Sequence, residues 1–236
     1  FNLMAEAVEA RIAELMETAE RQRLFIGGVT HEFKTPLTAL LLHTRMLRRA
    51  NMTEEEKDDS LAHIESQCEW LERLVQTLLK LITLERDIER RPCEVDALLD
   101  KVRQNTQKSL ADRGVTLIIQ SDDGTLNCNA DLIQSLLINL VDNAAKAYDA
   151  DAPDKRVLLT FSGDTIEVRD FGRGIPEQAM ERIFEPFYMV DKSRSKKSGG
   201  SGLGLALVRK IADAHDAELT VESSVEKGTT VRVHFQ

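Results

Sequence analysis

The sequence predicts an α + α/β chain: a helical hairpin that forms a four-helix bundle with a second copy, then a two-layer α/β sandwich. Three observations carry this. Apolar residues recur at helical steps from Val8 to Ile82, with one interruption. The rhythm fades around Arg90-Arg91-Pro92. Beyond it, short strand patterns mix with amphipathic helical ones to the end of the sequence.

At 236 residues the chain suits one large or two small domains. Apolar residues make up 42 % and charged residues 30 %, a composition that folds. No apolar run approaches the roughly 18 residues of a membrane span. Cys68, Cys93 and Cys128 lack C-x-x-C spacing, which argues against a disulfide framework or zinc site and suits a reducing compartment. The net charge of −9 is shared, with 13 basic against 17 acidic residues through Arg91 and 18 against 23 after it. Neither half has the basic footprint of a nucleic-acid binder, so no nucleic acid is expected as a partner. The chain starts at Phe1 with no signal peptide and reads as a fragment.

In the first half, Val8, Ile12, Leu15, Ala19, Ile26, Val29, Phe33, Pro36, Leu40 and Leu47 form a seam of period 3.5, with Gln22 and His43 at the two remaining positions. Ala50-Asn51-Met52 ends it, and Thr53 with Glu56 is a capping box opening a second helix. That helix repeats the rhythm at Leu61, Ile64, Cys68, Leu71, Val75, Leu78 and Ile82. One hairpin buries little by itself, which predicts a homodimer. After Pro92 the patterns predict a helix over 96–111, a strand over 115–120 and a helix capped by Asp131 with Gln134 and running to about Tyr148. A hairpin over 157–161 and 165–169, a helix over 204–215 and a strand pair over 219–222 and 230–235 complete the sandwich. Ser193 to Gly202 is the one low-complexity stretch.

His31 lies between the seam positions Val29 and Phe33 and therefore faces solvent. Its neighbours are poor choices for a stable helix. Gly27 and Gly28 cost roughly 1 kcal/mol each against Ala, and Pro36 removes the N–H that would bond the Glu32 carbonyl. His43, His63, His215 and His234 lack such neighbours and read as structural; a surface histidine on a helix usually is.

In the second half, Asn139, Asn143 and Lys146 share a helix face by their spacing. Amide oxygens suit Mg²⁺ and a lysine suits phosphate, although the same residues are common on any solvated face. Asp170-Phe171-Gly172-Arg173-Gly174 follows a strand, and its carboxylate can accept from the exocyclic amine of a purine. The catalytic loop and strand lysine that accompany Asp-Phe-Gly in eukaryotic-type protein kinases are absent. Gly199-Gly200-Ser201-Gly202-Leu203-Gly204 opens a helix, offering N–H groups and the positive dipole end to phosphate.

The run Phe25 to Leu37, containing His31-Glu32-Phe33-Lys34-Thr35-Pro36, resembles the phosphoacceptor box of bacterial sensor histidine kinases. The asparagine, Asp170 and glycine segments resemble, in order and spacing, the nucleotide boxes of the ATPase superfamily that unites gyrase, Hsp90, MutL and histidine kinases. Phe184-Glu185-Pro186-Phe187 and Gly228-Thr229 are similar to two further boxes. The resemblance implies a HAMP-like tail and signalling helix over 1–21, a dimerisation and phosphotransfer domain over 22–91, and a catalytic ATP-binding domain over 92–236. Two departures stand out. Ala147 intervenes between Lys146 and Tyr148, where the family commonly has an aromatic directly after the lysine. Glu226 stands where a second glycine is common, so only Thr229 carries over.

By that resemblance, the chain phosphorylates His31 from ATP and passes the group to an aspartate of a response-regulator receiver domain. Glu32 takes a hydrogen bond from one ring nitrogen of His31, and Thr35 serves the reverse phosphatase reaction. Asp170 selects adenine, with Gly172 and Gly174 beside it; Asn143 with Asn139 holds Mg²⁺; Lys146 and Arg194 balance phosphate charge; Gly200, Gly202, Leu203, Gly204 and Thr229 complete the pocket. The fragment itself does not touch membrane, and the full-length protein is expected to be a membrane-anchored sensor with this portion in the cytoplasm. An ATP-hydrolysing machine of the same superfamily usually has a water-activating Glu at the position of Asn139, a poor base. A non-catalytic scaffold binding nucleotide as a structural ligand is the other rival; it predicts no labelling by ATP.

Overall fold

The computed structural model describes residues 2–49, 52–84, 88–149, 151–191 and 200–236. They divide into two compact units between Gln76 and Thr77. In the first, helix α1 (Asn2–Leu47) runs unbroken through Pro36, and α2 (Glu54–Thr83) starts at the expected box. The Thr53 N–H donates to Glu56 Oε2 at 2.8 Å and the Glu56 N–H to Thr53 Oγ1 at 3.2 Å. The connection is short, so α1 and α2 run antiparallel. Glu32, Pro36, Ser60 and Leu74 are buried, and the rings of His43 and His63 stack with centroids 4.8 Å apart. The predicted seam is covered only in part: Val8, Ile12, Leu15, Ile26 and Leu61 are each about half exposed or more. Helix α2 ends at Thr83, earlier than the pattern predicts, because Leu84 and Ile88 keep the apolar phase beyond the last helical turn.

The second unit is a five-stranded sheet with helices on one face. The chain runs β1 (Arg91–Glu94), α3 (Val95–Arg113), β2 (Thr116–Ser121), β3 (Thr125–Cys128), α4 (Ala130–Lys146), β4 (Arg156–Ser162), β5 (Thr165–Asp170), a 3₁₀ turn (Glu177–Ala179), α5 (Gly204–Ala214), β6 (Glu218–Ser224) and β7 (Gly228–His234). The sheet order is β2-β4-β5-β7-β6, with β2 parallel to β4 and the other neighbours antiparallel. Strand alternation sets the layers. Val157, Leu159 and Phe161 of β4 and Ile166 and Val168 of β5 are buried under α3, α4 and α5. On the opposite face Arg232 pairs with Glu167 at 2.6 Å and Glu222 at 2.8 Å. The two-layer sandwich is thus present, with strands β1 and β3 additional to it. They form a separate two-stranded ribbon that the sequence pattern does not reveal, being four residues each.

Helix α4 is capped differently from expectation. Asn129, two residues before Asp131, is the N-cap, and its side chain accepts from the Leu132 N–H at 3.2 Å. Its backbone N–H donates to His215 Nε2 at 3.1 Å, while His215 Nδ1 pairs with the Ile211 carbonyl at 2.8 Å. Both ring nitrogens of this buried histidine are used, and it ties the end of α5 to the start of α4.

Candidate functional site

In the first unit His31 is exposed, as its place off the seam requires, whereas Glu32 is only 7 % exposed. Glu32 shares a helix face with Pro36, one turn on, and that face turns inward. Its carboxylate is therefore no ordinary surface acid: Oε1 lies 3.3 Å from His31 Nδ1. Thr35 is exposed one turn beyond His31.

In the second unit, α4 buries Ile133, Leu136, Leu137, Leu140, Val141, Ala144 and Ala145 and turns Asn139, Asn143 and Lys146 to a half-buried face. The Asn139 amide nitrogen donates to the Ser135 carbonyl at 2.7 Å, which leaves Oδ1 as the outward end of that side chain. The first residue of α5 abuts these amides: a Cβ on Gly204 would stand 2.9 Å from Asn139 Oδ1 and 3.6 Å from Asn143 Nδ2. The donor set fits a hard cation. One amide oxygen is freed by its own nitrogen's bond and a second amide lies one turn on, while the N-terminus of α5 beside them favours anionic phosphate oxygens.

Asp170 ends β5 and is 5 % exposed. Burial raises its carboxyl to about 6, against hydrogen bonds from the Gly172 and Thr229 N–H groups and the nearby Arg173, which lower it. The Gly172 bond is 2.9 Å. Behind the carboxylate, Gly228 has φ +91 and approaches so closely that a Cβ there would lie 2.1 Å from the Asp170 carbonyl oxygen. Gly174 has φ +67 and would meet the Ser224 carbonyl at 2.0 Å. Only glycine fits either place. Ser223 joins the same turns, its hydroxyl accepting from the Ile175 N–H at 2.8 Å and lying 2.9 Å from Thr229 Oγ1. The turn after Asp170 also seats on the end of α4, where the Arg173 N–H donates to the Ala147 carbonyl at 3.1 Å and its guanidinium to the Lys146 carbonyl at 3.2 Å.

The glycine segment docks on the stretch Phe184-Glu185-Pro186-Phe187. The Phe187 N–H donates to the Gly202 carbonyl at 2.9 Å, and Leu203 is wholly buried where α5 begins. Gly200 is half-buried at the edge of this segment. Arg194, with Lys192, Lys196 and Lys197, lies outside the described residues. Sequence reasoning quoted Gly228 in a box but carried over only Thr229, and gave no role to Ser223 or Arg173. Gly228 carried a signal, as a glycine beside Thr229; Ser223 and Arg173 carried none. Tyr148 has a structural place: its hydroxyl accepts from the Phe171 N–H at 2.9 Å and donates to the Arg156 carbonyl.

Two family models match this chain: the His Kinase A (phospho-acceptor) domain over residues 21–87 and the histidine kinase-, DNA gyrase B- and HSP90-like ATPase over 128–236. The chain belongs to the sensor histidine kinases. Among its relatives, the sensor histidine kinase YkoH of Bacillus subtilis is 31 % identical over 224 residues, which is 94 % of this chain and 49 % of YkoH. ArlS of Staphylococcus haemolyticus, a signal transduction histidine-protein kinase, is 31 % identical over 234 residues, covering 94 % of this chain and 50 % of its own. This kinase chain thus spans about half the length of the curated relatives it matches. Among solved structures, full-length ShkA in complex with AMPPNP aligns with TM-score 0.62 at 25 % identity, covering 88 % of this chain and 44 % of ShkA. The histidine kinase AdeS of Acinetobacter baumannii has the same fold, with TM-score 0.64 at 19 % identity over 87 % of this chain and 98 % of AdeS. No helix among the described residues of the kinase is long and apolar enough to cross a membrane.

Proposed function

We propose that this chain phosphorylates His31 from ATP bound by residues 92–236 and passes the phosphoryl group to an aspartate of a response-regulator receiver domain. The observation that carries the reading is the exposed imidazole whose Nδ1 stands 3.3 Å from a buried carboxylate. A carboxylate only accepts, so Glu32 selects the tautomer with its proton on Nδ1, and Nε2 keeps a lone pair. Nε2 attacks the γ-phosphorus, the bond from that phosphorus to the β–γ bridging oxygen breaks, and ADP leaves. Glu32 stabilises the positive charge that the ring develops.

At the nucleotide, the Asp170 carboxylate accepts from the exocyclic amine of adenine, with Gly172, Gly174 and Thr229 shaping the floor. Asn143 and Asn139 would hold Mg²⁺ through their amide oxygens; a bound Mg²⁺ supplies hard positive charge against the phosphates. Lys146, Arg194 and the N-terminus of α5, with Gly200, Gly202, Leu203 and Gly204, add to that charge balance. The apolar stripe left open on α1 and α2 supports a homodimer through the hairpin of residues 22–91. Thr35, within a turn of His31 and Glu32, orients water when the same module dephosphorylates the regulator. The sensor names of the relatives support a membrane-anchored full-length protein with this portion in the cytoplasm.

Incubation with γ-labelled ATP and Mg²⁺ tests the reading. Acid-labile, base-stable label is expected on the wild type and none on His31→Gln. Label that persists in His31→Gln overturns the assignment, and nucleotide binding with no label in either protein favours the scaffold.

A further inference from the structure

Cys93 and Cys128 sit on the two strands of the separate ribbon. The register pairs Cys93 with Leu126 and Arg91 with Cys128, so the cysteines are diagonal neighbours. Leu126 and Cys128 share a face by alternation along β3, and Cys93, opposite Leu126, shares it too. That face turns inward. Leu126 is 3 % and Cys128 2 % exposed, and Cys93 packs half-buried against the same core. The Cys93 thiol donates to the Glu94 carbonyl at 3.6 Å. Burial pushes the Cys128 thiol up to about 12, and charge and a side-chain hydrogen bond from Cys93 push in the same direction. The buried sulfur therefore stays a thiol, and the half-exposed Cys93 is the one that solvent-borne reagents reach.

We propose that Cys93 and Cys128 are a modification site, forming a reversible disulfide on exposure to a hydroperoxide and locking β1 to β3. The Cys93 sulfur attacks a peroxide oxygen; the O–O bond breaks and, for hydrogen peroxide, the departing hydroxide takes the proton that the thiol gave up and leaves as water, with a sulfenic acid on Cys93. The Cys128 sulfur then attacks the Cys93 sulfur, an S–S bond forms, and the sulfenic oxygen leaves as a second water with the Cys128 proton. Two thiols lose two electrons and the peroxide gains them. A reducing compartment returns the pair to thiols by exchange with a small thiol. The lock acts on a marginal element, since an isolated four-residue strand pair has little stability of its own. Asn129, which caps α4 and donates to the Glu89 carbonyl at 3.3 Å, follows Cys128 directly. Oxidation thus fixes the entry strand to the start of the helix that carries Asn139 and Asn143.

The test treats the full chain with hydrogen peroxide, blocks remaining thiols with N-ethylmaleimide and maps every cysteine by mass spectrometry. Cys68, exposed on α2, reports the effective dose. The expected result is joint loss of the Cys93 and Cys128 adducts, a cross-linked peptide spanning them, and recovery of both with dithiothreitol. Amide exchange in residues 91–94 is expected to slow on oxidation. Cys93→Ser and Cys128→Ser each remove the cross-linked peptide; the first, at a half-exposed strand position, keeps the test available if the second fails to fold. Oxidation of Cys68 while both other thiols remain fully alkylated overturns the proposal, as does Cys93 ending as a sulfinic acid with Cys128 still free.

Discussion

The buried carboxylate of Asp170 makes the stability of the second unit depend on pH in a direction opposite to that of most carboxylates. Its ordinary value of 3.8 rises to about 6 in the fold. At about 1.4 kcal/mol per pH unit, that gap amounts to about 3 kcal/mol. The sign follows from proton counting. Between the two values the folded chain holds the proton more tightly than the unfolded one, so stability falls as pH rises. The cost is absent below about 4 and complete above about 6. Asp170→Asn cannot titrate, and the difference between the two proteins isolates this one group from every other titration. Urea unfolding, followed by hydrogen-exchange mass spectrometry of β5 and β7 peptides from pH 4 to 8, measures it. The wild type is expected to lose about 2.5 kcal/mol relative to the Asn variant across that range, most of it below pH 6.5. A flat difference, or one that grows in the wild type's favour with pH, would refute the reasoning, because the Gly172 and Thr229 hydrogen bonds would then outweigh burial. An amine donating to this carboxylate favours its charged form, so adenine binding, on the proposed reading, recovers part of the cost.

Two further perturbations separate frame from contact. Gly228→Ala places a methyl against the Asp170 carbonyl at a φ that L-residues avoid, and melting temperature and nucleotide affinity are expected to fall together, affinity by tenfold or more; an unchanged melting curve contradicts it. Tyr148→Phe strands the Phe171 N–H and the Arg156 carbonyl, costing roughly 1–3 kcal/mol of stability in a thermal melt, and a loss of nucleotide affinity with stability intact would instead make Tyr148 a ligand-contact residue.

The long elements were legible because each repeats a period many times: α1, the start of α2, the body of α4 and the β4–β5 hairpin lie where their patterns place them. Short elements give no period to read. Arg91-Pro92-Cys93-Glu94 offers one alternation and a proline, and its partner Thr125-Leu126-Asn127-Cys128 offers little more, so the ribbon exists through tertiary pairing alone. The α4 cap went to Asn129 rather than Asp131 because both side chains can accept an N–H, and the choice depends on where the backbone first turns helical. Burial of Glu32 follows from its helix face, which the seam residues Val29, Phe33, Pro36 and Leu40 already mark. At the nucleotide boxes the sequence shows the residues but not their mutual seating. Glu226 illustrates this: at φ +63 it takes the left-handed turn that a second glycine would have taken, and its N–H donates to the Arg173 carbonyl at 2.8 Å.

That seating has a consequence for how such a sequence changes over generations. The turn after β5 rests on the end of α4 through Arg173 and on the β6–β7 turn through Gly174, and the β6–β7 turn rests in turn on Asp170 through Gly228. Three stretches far apart in the chain are therefore inherited as one interlocking part. A side chain at Gly172, Gly174 or Gly228 meets main chain, which no rotamer can move aside, so relief must come from a second change in a different stretch. Drift here proceeds in paired steps, and revertants of a Gly174 lesion are to be sought near Ser224 rather than beside the lesion itself.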